Sequence, residues 1–210
     1  LYSDVISLRI DPESATIYTE AENPAEFQFR AMATFKNGDE REIDLVTWSL
    51  SNLSVGEIES DGYFTSVDTN GGVTEVVANH VGIEAVADLD VVYQSHELLD
   101  GLDQAIVRAF ESGNATPDSN VALIYPFDGV MVPRNLDGFG FKWFQPDGHN
   151  VNRLRLRSEI TDLSVYLGET NSWVATAELW KKAAAANRDG SIEVVASVQA
   201  KPATPRSPRL

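Results

Sequence analysis

Apolar and polar residues alternate along much of this chain. Phe27, Phe29, Ala31, Ala33 and Phe35 interleave with Gln28, Arg30, Met32 and Thr34. A period of two puts one face of an extended strand in a core and the other in water. An Asn37-Gly38-Asp39 turn follows, then Val46-Thr47-Trp48-Ser49 and a second turn at Asp61-Gly62. The opening strand alternates through Ile6, Leu8 and Ile10 until Asp11-Pro12-Glu13 breaks it, and residues 15–19 form a short second strand. Residues 41–48 read as one strand with Ile43 and Leu45 on one face. Asn52, Gly56 and Ser60 punctuate short strands near 55–58 and 63–67, and Asp68-Thr69-Asn70-Gly71-Gly72 marks a turn before a strand over 74–79. The longest alternation sets Ile83, Ala85, Ala87, Leu89, Val91 and Tyr93 against Glu84, Asp88 and Asp90. Short strands at this spacing predict stacked antiparallel sheets over residues 4–93.

The period then changes. Leu98, Leu99, Leu102, Ile106, Ala109 and Phe110 recur at three- and four-residue steps. That spacing predicts a helix from Ser95 to Gly113, with Gly113 and Asn114 as its stop. An isolated helix of this size is marginal in water, so its apolar stripe must be covered. Residues 94–117 read as a helical connector packed on one or both modules, or as a helix offered to another chain.

Alternation returns over 118–200. An apolar run from Val121 ends at Pro126, and Phe139, Phe141 and Trp143 alternate with Gly140 and Lys142. Leu154 and Leu156 face inward from a strand whose outer face is Arg153, Arg155 and Arg157. Residues 163–167 form the next strand and 178–187 a short helix, before a last strand with Ile192, Val194, Ala196, Val198 and Ala200 inside. Three prolines keep residues 201–210 out of any central strand and make them an extended connector or end.

The segments ISLRIDPES, FQFRAMATFKNGDEREI, VTWSLSNLSVGEIESDGYFTSV and GIEAVADLDVVY resemble the bacterial immunoglobulin-like domain, group 2. The most specific part is Val46-Thr47-Trp48-Ser49, then Ser51-Asn52, Val55 and Asp61-Gly62. This chain departs from the family at Leu53, where Pro is usual, and at Gly56, where Ala is usual. The segment VALIYPFDGVMVPRNLDGFGFKW, with NRLRLRS and VYLGE after it, looks like a divergent fibronectin type III domain. The resemblance implies two β-sandwich modules, which with the periodicity of residues 95–113 makes an all-β chain of two modules joined by a short helical connector. It also implies a non-catalytic module of an exported, cell-surface or lipid-anchored bacterial protein, as in deltaproteobacteria.

Composition agrees with two domains. At roughly 100–150 residues per domain, 210 residues make about two. The 43% hydrophobic content supplies two cores. There is no cysteine, hence no disulfide and no thiolate metal site. No apolar run approaches the ~20 residues that span a bilayer. The start, Leu1-Tyr2-Ser3-Asp4, has no Met and no export-signal pattern, as expected of a processed product. Acids outnumber bases by 17 in residues 1–117, whereas 118–210 carry one extra base, for a formal charge of −16. Such an acidic half repels nucleic acid and anionic lipid.

Candidate chemistry is sparse. His80, His96 and His149 are far apart and lack metal-ligand spacing. No nucleophile elbow, phosphate loop or dinucleotide fingerprint occurs, so no catalytic residue is assigned and an enzyme is not expected. Asp68, Asn70, Asp88 and Asp90 are oxygen donors for calcium, though residue 79 is Asn where a calcium loop starting at Asp68 needs a bidentate acid. The alternative is a plain turn and a solvated strand face. Trp48 and Trp143 belong to the two cores, each burying ~200 Å². Trp180 anchors the second helix, which leaves Trp173 as the candidate platform for a sugar. The Arg153-Arg155-Arg157 stripe protects an edge strand, or meets the acidic first module of another copy head to tail. The reading is therefore an adhesive or structural module with a protein or cell-surface polysaccharide as partner, or a carbohydrate-binding accessory of a larger secreted enzyme.

Overall fold

The computed structural model describes residues 4–112, 121–133, 135–145, 148–187 and 190–199. Its contacts form two units, Leu1–Gln94 with Glu159–Thr161, and Ser95–Ser158 with Asp162–Leu210. The predicted stop at Gly113 and Asn114, residue 200 and the proline-rich segment lie outside the described residues.

The first unit contains β1 (Val5–Asp11), β2 (Ser14–Thr19), β3 (Glu26–Gln28), β4 (Arg30–Phe35), β5 (Glu40–Glu42), β6 (Thr47–Leu50), β7 (Gly56–Ile58), β8 (Tyr63–Ser66), β9 (Gly72–His80) and most of β10 (Ile83–Leu98). One layer is β1-β4-β5, another carries β6-β9-β10, and β3-β8-β7 is a short third sheet. Ile10, Ala33, Phe35, Val76, Ala87 and Leu89 meet in a single core between them. The alternation read from sequence is the burial pattern found, with Phe29, Ala31, Ala33 and Phe35 all buried. The expected single strand nevertheless breaks at Phe29, where the chain passes from β3, paired with β8, to β4, paired with β1. The fold is an all-β sandwich.

Three further details differ from the sequence reading. The sheets are not purely antiparallel, because β2 runs parallel to β10 with Val91 opposite Ile17. Residues 41–48 are not one strand. β5 pairs with β4, whereas β6 pairs with β9, so the chain changes sheets between them. Ile43 is therefore buried while Leu45 is 66% exposed, since no strand carries their alternation through the crossing. Trp48 is half-buried against the core rather than sealed in it.

Backbone demands explain the most specific motif. Gly62 has φ +83°, and a Cβ there would lie 2.6 Å from the Phe29 carbonyl and 2.9 Å from the Trp48 ring. The turn is held by Phe29 N–H donating to the Gly62 carbonyl at 3.0 Å and Tyr63 N–H donating to Asp61 Oδ1 at 3.0 Å. Gly56, where the resembled family has Ala, leaves no room for a methyl group, because a Cβ would meet the Thr65 carbonyl at 2.4 Å.

The second unit begins with the last residues of β10. The helix expected from Ser95 to Gly113 is α1 (Gln104–Glu111) alone. Residues 95–98 stay extended, and Leu99 N–H continues the pairing by donating to the Tyr166 carbonyl. Asp100 and Gly101 then take positive φ, and Asp103 caps the helix by accepting from Ala105 N–H. Ile106, Val107 and Phe110 pack with Val151 and Tyr166, so the apolar stripe of α1 is covered by the second unit. The unit continues with β11 (Ala122–Tyr125), β12 (Gly138–Phe144), β13 (Val151–Arg157), β14 (Thr161–Leu167), β15 (Ser172–Thr176), α2 (Ala177–Ala186) and β16 (Glu193–Gln199). One sheet is β11-β12-β15 and another orders β16-β13-β14. Trp143 is 1% exposed, as its alternation predicts.

Candidate docking groove

The second unit opens a groove of about 1040 Å³. Its floor comes from β12, whose alternation turns Phe139 and Phe141 inward. Helix α2 supplies Trp180 and Ala184 on one side, and Leu123, the 126–133 loop, the turn before β16 and the start of β16 complete the lining. Thr176 caps α2 by accepting from Leu179 N–H at 3.2 Å. Trp180 packs on Phe139 at 4.6 Å between centroids, with the rings tilted by 30°, and donates its Nε1–H to the Pro133 carbonyl at 3.0 Å. That bond fixes the loop across the groove.

The loop, Pro126-Phe127-Asp128-Gly129-Val130-Met131-Val132-Pro133, is apolar where loops are ordinarily polar. Phe127 is 72% exposed and Met131 94%. A chain of rings runs inward from Phe127 to Tyr125 at 6.2 Å, on to Phe139 at 5.9 Å and to Phe141 at 5.0 Å. Asp128 and Glu193 are acids in the lining. Apolar exposure of this kind around a concave surface marks an interaction site or a ligand-binding groove.

The residues singled out from sequence lie elsewhere. Trp173 is half-buried and stacks on Phe141 at 5.8 Å, with an interplanar angle of 21°, so one indole face is already occupied. It does not line the groove. Arg153, Arg155 and Arg157 do not protect an edge, because β13 is flanked by β14 and β16. The Arg155 guanidinium makes a bidentate pair with Asp162, at 2.7 Å from Nε and 2.5 Å from Nη2, which raises its pKa. Arg153 lies over the Phe110 ring at 5.2 Å. Burial raises the Tyr166 hydroxyl above its ordinary value, while Arg153 opposes that shift. Only Arg157 of the three is exposed.

The oxygen donors named for calcium do not converge. Glu22 N–H donates to Asp68 Oδ2 at 3.1 Å, and the Asn70 amide donates to the Gly71 carbonyl at 3.2 Å. Asp88 and Asp90 share the outer side of β10, where burial and then Glu159 and Asp88 raise the Asp90 pKa. Among the described residues, no group of three or more His, Cys, Asp or Glu is arranged to hold a metal ion. No described helix is long and apolar enough to cross a membrane.

No protein-family model matches the chain, and no curated protein matches it. Among solved structures, one similar chain is the titin immunoglobulin tandem A164-A165. It is 6% identical, with a TM-score of 0.28, over 83% of this chain and 80% of that one.

The groove escaped sequence reading because its parts are separated by some seventy residues, from Leu123 to Val194. One local signal was available. Phe127, Val130, Met131 and Val132 crowd a segment punctuated by Pro126, Asp128-Gly129 and Pro133, and such a segment has no core of its own to enter.

Proposed function

We propose that this chain is a non-catalytic recognition module, in which two β units serve as scaffold and the groove of the second is the docking surface for another protein. The observation that carries this is the exposed rim of Phe127 and Met131 beside a floor of Phe139 and Phe141 and a wall carrying Trp180. Apolar side chains held in water are retained where a partner covers them. An exported or cell-surface setting fits the resemblance to bacterial immunoglobulin-like modules and the strongly acidic first half. The competing reading is carbohydrate stacking on Trp173, favoured by the indole's partial exposure.

Matched protein and glycan arrays separate the two. Retention on protein that is lost in Met131→Asp supports the groove. Retention on glycans that is lost in Trp173→Ala, with Met131→Asp indifferent, overturns it.

A further inference from the structure

We propose that the groove takes an extended proline-rich segment, and that this segment is Pro202–Pro208 of a second copy of the chain. The inference rests on the docking reading above and names its partner.

After β16 the sequence reads Lys201-Pro202-Ala203-Thr204-Pro205-Arg206-Ser207-Pro208-Arg209. Prolines recur every third residue, the period of a polyproline II helix, so that helix would carry all three along one side. Proline fixes φ in advance, and less freedom is lost when such a segment is ordered on a surface. The surfaces that recognise it are aromatic-lined grooves. Here Phe127 stands at the rim, and Phe139 and Trp180 lie 4.6 Å apart inside. Charge agrees as well, since Asp128 and Glu193 are in the lining and Lys201, Arg206 and Arg209 flank the prolines.

Reach decides between one copy and two. β16 starts at Glu193 in the groove wall and ends at Gln199. Val194 is the last groove residue on this strand, and five steps of ~3.3 Å carry the chain ~17 Å away from it. Pro202 is three residues past Gln199 and Pro205 six. At ~3.6 Å per residue at most, Pro202 cannot return and Pro205 only just arrives. One chain therefore cannot seat its own triplet, whereas a neighbour can. A contact between two different surfaces of identical copies is heterologous and propagates head to tail.

The test combines two measurements on the full chain. A labelled peptide of sequence Lys201–Leu210 is titrated by fluorescence anisotropy, and self-association is followed by sedimentation velocity. Saturable peptide binding is expected, weakened at least tenfold by Phe127→Ser and by Met131→Asp. A peptide with all three prolines replaced by alanine should lose binding to the same extent. The full chain should associate as its concentration rises, and excess peptide should reverse this. Both groove residues are well exposed, so the variants should fold, and an unchanged melting curve verifies it. Absence of peptide binding overturns the inference, and if array retention still depends on Met131 the docking reading survives alone. Peptide binding indifferent to both substitutions overturns it too. A full chain that binds peptide yet stays monomeric at every concentration overturns the second-copy assignment.

Discussion

The indole Nε1–H of Trp180 donates to the carbonyl of Pro133 at 3.0 Å, across 47 residues of sequence. This bond ties α2 to the end of the exposed loop. Trp180→Phe keeps a ring against Phe139 but removes the donor. The loss should be at least about 0.5–1.5 kcal/mol of stability, the usual net worth of one hydrogen bond, because the smaller ring also gives up packing at a buried site. Hydrogen exchange should rise over 127–133 and stay unchanged in the first unit. Equal protection of the loop in both proteins would contradict the anchoring role.

A second hydrogen-bonded chain lies in the interior of the same unit. Trp143 Nε1–H donates to Asn152 Oδ1 at 3.0 Å, and the Asn152 amide donates to the Gly168 carbonyl at 2.6 Å. Asn152 is 1% exposed. Asn152→Ala orphans a buried donor and an acceptor, each costing about 1–3 kcal/mol. Urea denaturation should show a midpoint drop far larger than that of Arg157→Ala on the exposed side of the same strand.

Glycines separate two kinds of cost in the first unit. Gly38 and Gly62 both have positive φ, +87° and +83°. Nothing lies within 4 Å of a Cβ at Gly38, whereas one at Gly62 meets Phe29 and Trp48. Gly38→Ala should cost about 1–2 kcal/mol, the left-handed penalty alone. Gly62→Ala should cost clearly more, and should alter Trp48 fluorescence. Similar melting points for the two variants would refute the steric account of the Asp61-Gly62 turn.

Asp90 sets a pH dependence. Burial, followed by repulsion from Glu159 and Asp88, raises its pKa above the ordinary 3.8. The ionised form is thus less favourable in the folded chain than in the unfolded one. Its destabilising effect is complete above the folded pKa and disappears as pH falls through that value towards 3.8. Asp90→Asn should stabilise the first unit at neutral pH, and the gain should shrink on acidification. A gain that grows as pH falls would reverse the sign.

Calcium should leave the chain unchanged. Asp68 and Asn70 already have backbone partners in their turn. Melting curves in millimolar calcium and in chelator are expected to coincide. A higher midpoint with calcium, abolished by Asp68→Asn, would restore those donors as ligands.

The strands of both units were legible in the sequence because burial of a strand face is local and periodic. Phe29 to Phe35, Ile83 to Tyr93 and Phe139 to Trp143 needed only a period of two. Helix α2 was legible from Trp180 and its alanines. Residues 95–98 misled because Leu98, Leu99 and Leu102 fit a helical step as well as an apolar strand end, and only pairing beside Tyr166 decided the matter.

What the sequence determined by itself was the all-β architecture, the two buried aromatic-rich cores and the glycine turns, since each depends on neighbours a few residues apart. Tertiary structure alone decided that β2 lies parallel to β10, that the arginine strand is central, and that Phe127, Phe139 and Trp180 border one groove. Those relations join residues far apart along the chain. No local period encodes them, because they arise only when separate strands and a helix compete to cover the same apolar surface.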